Sequence, residues 1–143
     1  MVEFAAVILV RPDGSVLAQL RDDIPTILEP DKWGVVGGGK EKDFDNNLIS
    51  TAIRELLEET NYLAIPQDLY LLSKDIYQID TGLEIERTIF WAQYDERQTI
   101  ACNEGQEIRF INPAEFDKLE FAKDNKEFFK KASKKAFPDD KRA

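Results

Sequence analysis

The sequence predicts an α/β domain, a sheet flanked by helices. Residues Leu48–Thr60 predict an amphipathic helix: at ~100° per residue, Ile49, Ile53, Leu56 and Leu57 fall on one side and Glu55, Glu58 and Glu59 form a narrow stripe on the other. Short β-prone runs bounded by turn signals lie before and after that helix. A chain of 143 residues, 43% hydrophobic and 33% charged, is long enough and apolar enough for one domain with a sizeable core.

The elements follow in order along the chain. Residues 4–10 are apolar and β-prone, Arg11-Pro12-Asp13-Gly14 is a turn signal, and residues 15–21 read as the returning strand of a hairpin. Residues 22–31 carry Pro25 and Pro30 and predict a loop bordering the site. Trp33-Gly34-Val35-Val36-Gly37-Gly38-Gly39 predicts a short apolar strand running into a glycine turn, followed by an acidic loop over residues 41–47 and then the helix. Residues 69–79 and 83–94 predict a strand pair around Asp80-Thr81-Gly82. In the second of these Leu83, Ile85, Thr88, Phe90 and Ala92 do not alternate cleanly, so a bulge or burial on both faces is expected. Residues 108–111 predict a short strand, and Asn112-Pro113 opens a short helix to about Leu119. Residues 124–132 predict a terminal helix with Phe128 and Phe129 on the core, and residues 133–143 a frayed tail. With no repeat, low-complexity tract or linker, residues 1–143 are expected to form a single domain.

Composition excludes several functions. The net charge of −9 argues against binding nucleic-acid polymers or anionic membranes. The single cysteine, Cys102, allows no internal disulfide and suits a reducing cytoplasm. No signal peptide is expected, since the chain starts Met1-Val2-Glu3 and its first apolar run is too short to span a membrane. The absence of histidine rules out Ser-His-Asp and Cys-His catalysis and His-ligated zinc. Acid–base work falls to carboxylates, lysine, tyrosine or water on a metal.

Three glutamates on one helical stripe repel one another unless a cation sits among them. A hard divalent ion such as Mg²⁺ (or Mn²⁺) suits that place, because it prefers oxygen ligands and retains waters. The three glycines upstream let backbone approach an ion or a phosphate closely, and Lys40 is a candidate phosphate contact.

The segment from Gly38 to Tyr62 resembles a Nudix box, G-x5-E-x7-R-E-U-x-E-E-x-G-U with U apolar. The core R-E-U-x-E-E matches as Arg54 to Glu59. The place of the first box glutamate, counted from Gly39, is held by Asp45, with one extra residue before Arg54; Glu41, Asp43 and Asp45 are all candidates for that acid. Asn61 stands for the box glycine and Tyr62 for the last apolar residue, and Asn tolerates the left-handed end of a helix best among non-glycine residues. The resemblance implies a Nudix α/β/α sandwich with a mixed sheet.

It also implies a Mg²⁺- or Mn²⁺-dependent hydrolase of nucleoside diphosphates linked to a further group X, most simply nucleoside triphosphates. Glu58 and Glu59 would be metal ligands, with the carbonyl of Gly38 as a neutral one. Glu55 would be general base or a further ligand, and Arg54 would orient the glutamates. Glu104 in Glu104-Gly105-Gln106-Glu107 resembles a metal ligand on a loop of MutT-type members, with Glu107 as fallback. Asn125 resembles an asparagine that reads the base in those members, and Tyr77 a tyrosine of some dinucleoside-polyphosphate hydrolases. Trp33, Phe90 and Trp91 are candidates for stacking on a base, although an aromatic in a strand more often belongs to the core. The alternatives are a non-catalytic nucleotide sensor, and a hydrolase of dinucleoside polyphosphates or nucleotide sugars. Monomer and homodimer both remain open.

Overall fold

The computed structural model describes residues 1–136. The expected tail lies for the most part outside them. Seven strands form one mixed sheet: β1 (Val2–Val10), β2 (Val16–Leu20), β3 (Trp33–Gly34), β4 (Gly37–Gly39), β5 (Tyr70–Gln78), β6 (Glu84–Gln93) and β7 (Glu107–Ile111). Two helices, α1 (Leu48–Thr60) and α2 (Asn125–Ser133), cover it. The strand path is β3-β2-β1-β6-β5, with β4 paired to β1 and β7 to β2. Among the seven strands, β1 and β6 are the pair that runs parallel, in register from Val2 opposite Ile85 to Val10 opposite Gln93.

β1 is the central strand, buried without a break from Ala5 to Val10. Its side chains alternate between two cores, as a strand's period of two requires. Ala6, Ile8 and Val10 meet Phe128, Phe129 and Ala132 of α2, whereas Ala5, Val7 and Leu9 meet Ala52 and Leu56 of α1. An apolar run covered on both faces by helices is the signature of an α/β/α sandwich.

The predicted hairpin exists but opens at once. Gly14, at φ +87, closes the turn by donating its N–H to Arg11, yet β1 and β2 pair only at Val10 and Val16. Farther along, β2 turns to β3 and β7, and β4 lies against β1 with Gly39, Gly38 and Gly37 opposite Phe4, Ala5 and Ala6. The glycine turn expected at residues 37–39 is therefore a strand. The reason is space rather than backbone angle, since none of the three has positive φ. A Cβ on Gly37 would stand 2.3 Å from the Ala5 carbonyl oxygen and 2.5 Å from the Ala6 Cβ.

The irregularity expected in residues 83–94 falls on the partner strand: β5 shifts register between Leu71 and Ser73, whereas Arg87, Thr88, Ile89 and Phe90 of β6 are buried consecutively. The short helix after Asn112 is a 3₁₀ segment, Pro113–Lys118, held by a reciprocal cap between Asn112 and Glu115. Phe128 and Phe129 are buried on the core face of α2.

Candidate active site

α1 begins where the Asn47 side chain accepts from the Ser50 N–H at 2.8 Å, a cap that contributes ~1 kcal/mol. It ends at Asn61, left-handed at φ 67, whose N–H closes on Leu57. Leu56 is fully buried against the sheet. Leu57, expected on the apolar side, is 41% exposed. Glu59 turns inward with Leu56 and is 4% exposed, whereas the Glu58 side chain is 57% exposed. One turn of helix thus presents an inner and an outer carboxylate.

Of the three candidate loop acids, the structure brings in Asp45. Its Oδ1 accepts from Arg54 Nε and its Oδ2 from Arg54 Nη2, both at 3.0 Å. The Thr51 hydroxyl at 2.9 Å and the Glu41 N–H at 2.8 Å complete its bonding. Glu41 stands 4.0 Å from Arg54, and Asp43 is exposed. The Arg54 guanidinium, together with those donors, holds the Asp45 carboxyl well below the usual aspartate range, and Asp45 in turn raises Arg54.

From that anchor Arg54 spreads over the other acids. Nη1 donates to Glu55 Oε2 at 3.0 Å and to Glu58 Oε1 at 3.1 Å, and Nη2 also donates to the Gly39 carbonyl at 3.0 Å. Glu55 lies against the backbone of β4, where a Cβ on Gly38 would stand 2.3 Å from its Oε2. Glu59 Oε1 accepts from the Gln19 amide at 2.9 Å. Its Oε2 is buried and has no hydrogen-bond partner among the described residues. Burial first, then the neighbouring Glu55 carboxylate and the charge of Glu104, push Glu59 up to about 9.

The donor set suits a divalent cation. A buried carboxyl oxygen without a donor, a second carboxylate packed on a bare glycine backbone, and a third within that field are hard oxygen ligands, and the raised Glu59 marks a mutual repulsion that a cation would relieve. Among the described residues no three acidic side chains converge as they stand on one ion-sized point. Arg54 Nη1 occupies an oxygen of both Glu55 and Glu58 and does there the neutralising that an ion would take over.

β4 separates this acidic cluster from a cavity of about 650 Å³, with Gly39 on the cavity wall. Phe4, Val35, Ile85 and Tyr77 give it apolar sides, and Arg21 and Asn125 polar ones. Leu28 and Glu29 place the loop of residues 22–31 at its border.

The remaining candidates divide. Asn125 lines the cavity, but its Oδ1 accepts from the Val35 N–H at 2.9 Å and its Nδ2 donates to the Lys123 carbonyl at 2.7 Å, so its amide is committed to backbone. Lys40 sits at the end of β4 with its ammonium 3.8 Å from Glu3. Trp33, a candidate for stacking on a base or for the core, is 6% exposed in the core under the Arg109 guanidinium. It is fixed there by backbone bonds to Glu120 and Ala122. Phe90 is buried, and Trp91 stacks on Tyr70. Glu104 is exposed on a loop whose carbonyl takes a bond from Gln19.

Two residues were not singled out from sequence. Gln19 and Arg87 are each buried in strands otherwise apolar on that side, and a polar residue in such a place is itself a signal. Arg87 ion-pairs with Asp75 at 2.7 Å and Asp124 at 3.2 Å, its guanidinium 4.4 Å from the Tyr77 ring centre.

A family model described as NUDIX domain matches residues 2–132, nearly the whole chain. The chain belongs to the Nudix family. By that membership, with every acid of the box core in place, it is a pyrophosphohydrolase. No curated protein matches it. Among solved structures, the NUDIX domain of Shewanella oneidensis NrtR complexed with ADP ribose is similar at 17% identity and TM-score 0.77, over 94% of this chain and 88% of that one. A MutT protein from Methanosarcina mazei Go1 is similar at 15% identity and TM-score 0.73, over 96% of both chains. A C. elegans Ap4A hydrolase is similar at 16% identity and TM-score 0.71, over 92% of this chain and 94% of that one. These likenesses establish the Nudix fold, and their named ligands differ.

Proposed function

We propose that this Nudix domain is a Mg²⁺- or Mn²⁺-dependent hydrolase that cuts the diphosphate bond of nucleoside diphosphates linked to X, with nucleoside triphosphates among its substrates. The observation that carries this reading is the buried, donor-less Oε2 of Glu59 beside Glu55 and the bare backbone of Gly38. Glu58, Glu59, Glu55, Glu104 and the Gly38 carbonyl would hold the ion. When bound, it supplies positive charge to the phosphoryl oxygens and makes water more acidic.

This chain's own residues do the rest. Arg54, locked by Asp45, spaces Glu55 and Glu58 through charge-assisted bonds. Glu55, if not a ligand itself, would take a proton from the attacking water. The new P–O bond forms, the anhydride P–O bond breaks, and the leaving phosphate departs with the electron pair. For a triphosphate the products are a monophosphate and pyrophosphate. The cavity beyond β4 lies within the size range of small-ligand sites and would hold the nucleoside. Asn125 would act there through the backbone it fixes, and Lys40 near the phosphates. We place the enzyme in the cytoplasm as a single domain over residues 1–143, acting on small nucleotides rather than nucleic-acid polymers. The exposed, unpaired Cys102 and the acidic charge support this. No helix among the described residues is long and apolar enough to cross a membrane.

The test is incubation with Mg²⁺ and a panel of nucleoside triphosphates, dinucleoside polyphosphates and nucleotide sugars, with products resolved by chromatography. Product formation that requires the metal supports the reading, and ¹⁸O-water locates the bond cut. A second reading, a nucleotide-binding sensor, is favoured by the likeness to a NrtR domain solved with ADP ribose. Tight binding without turnover across the panel would decide for it.

A further inference from the structure

β2 reads Val16-Leu17-Ala18-Gln19-Leu20, an apolar strand with one amide in it. Gln19 is 6% exposed, and a buried amide is costly unless its hydrogen bonds are made. Its Nε2 makes two: to Glu59 Oε1 at 2.9 Å and to the Glu104 carbonyl at 3.0 Å. One nitrogen therefore touches both the inner carboxylate of α1 and the loop that carries Glu104. By satisfying Oε1 it leaves Oε2 of Glu59 as the oxygen without a donor.

The same loop is stitched to the same two elements along its length. The Ala101 and Asn103 N–H groups donate to the Thr60 and Glu59 carbonyls, both at 2.9 Å, and the Gln106 N–H donates to the Leu20 carbonyl at 2.8 Å. Gly105 lies flat on Gln19: a Cβ there would stand 2.9 Å from Gln19 Cγ and 2.7 Å from the Leu20 carbonyl oxygen. β2 is paired to β3 and β7 at this point, with Gln19 opposite Gly34 and Ile108, so the amide projects from a rigid base.

We propose that Gln19 is a positioning residue of the hydrolytic centre, its amide tying Glu59 to the Glu104 loop so that both carboxylates face one point. This rests on the metal-dependent hydrolase reading above. Gln19 touches no reacting atom and acts through Glu59 and Glu104. Its presence also resolves how a glutamate far from the box in sequence is brought to the box helix.

The experiment compares wild type with Gln19→Met, which keeps the shape and loses the amide, and Gln19→Asn, which withdraws the amide by one methylene. Binding of Mn²⁺ alone is titrated by electron paramagnetic resonance, amide hydrogen exchange is followed over residues 101–106, and steady-state kinetics are measured on a nucleotide that the wild type hydrolyses. We expect Q19M to bind Mn²⁺ ~10- to 100-fold more weakly, to exchange faster over residues 101–106, and to lose kcat more than KM. Q19N should fall between. A folded Q19M with wild-type Mn²⁺ affinity and exchange overturns the proposal, even if its melting temperature drops, because that result describes packing alone. Should Q19M not fold, wild-type affinity and exchange in Q19N overturn it equally. A wild type that neither binds Mn²⁺ nor turns over any nucleotide removes the hydrolase reading and the positioning role with it. Failure of Gln19 alone leaves wild-type binding and turnover intact, so the two failures are distinct.

Discussion

Arg54 grips Asp45 with two parallel contacts, Nε to Oδ1 and Nη2 to Oδ2, each 3.0 Å long. The fork joins the later part of the acidic loop to the middle of α1, while Nη1 holds Glu55 and Glu58 and Nη2 also bonds the Gly39 carbonyl. Asp45→Asn keeps the volume but removes the charge. Each charge-assisted bond is worth ~1.5–3 kcal/mol, so D45N should melt lower at neutral pH and lose turnover as Arg54 loosens. The sign with pH follows from the lowered carboxyl. The stabilisation is full above the ordinary aspartate value of 3.8 and is lost as pH falls below it through the folded value. Thermal melts from pH 6 down to pH 2 should show a gap between wild type and D45N that is constant above about pH 4 and narrows below it. A gap unchanged to pH 2 would mean that the ion pair is not the source.

The three glycines of β4 predict three different outcomes on mutation to alanine. In Gly37→Ala the new Cβ meets Ala5 backbone and Ala6, which cannot yield, so the fold should lose ~1–3 kcal/mol or more. In Gly38→Ala its three nearest atoms all belong to the Glu55 carboxylate, which can move, so turnover should fall well over tenfold while the melting temperature changes little. Gly39→Ala, with nothing nearer than 3.9 Å, is the control. Denaturant melts and kcat on the three variants check this ordering, and equal losses in all three would contradict it.

Glu58 and Glu59 should part company in stability. Glu58→Gln alters an exposed side chain and should leave the metal-free fold intact while abolishing metal-dependent turnover. In wild type a divalent ion at about 100 times its dissociation constant should add ~2.7 kcal/mol of stability. Glu58→Gln should show much less of that gain in a thermal-shift titration with Mg²⁺. Near-normal turnover in E58Q would remove Glu58 from the centre.

Asn125 should behave as a structural clasp before a ligand contact. Asn125→Ala leaves the buried Val35 N–H without an acceptor, at a cost of ~1–3 kcal/mol. Its effect on nucleotide KM should therefore follow a measurable loss of stability. A variant of wild-type stability with raised KM would show instead that the amide meets substrate directly.

Much of this was legible in the chain because it is local. The α1 helix, its Asn61 cap and the acid-bearing motif are encoded within a few residues of one another, and periodicity and spacing reveal them. The hairpin turn, the 69–94 strand pair and the C-terminal helix were legible for the same reason. What misled was also local reasoning. Three glycines in a row read as a turn, yet they form a strand paired to β1, in which Ala5, Ala6 and Glu55 leave no room for a Cβ at Gly37 and Gly38. Trp33 read as either a stacking platform or a core aromatic, and the bridge to Phe121 draws it into the core.

The sequence by itself determined the family, the helical stripe of carboxylates and the charge problem that such a stripe creates. Only the tertiary structure decided how that problem is met. Asp45 anchors Arg54 among the acids, Glu59 turns inward, and Gln19 brings the Glu104 loop to it from a distant strand. Those pairings span from 9 to 85 positions along the chain. Period and composition carry no record of such partners, because they arise only when packing on the two faces of β1 sets which surfaces meet.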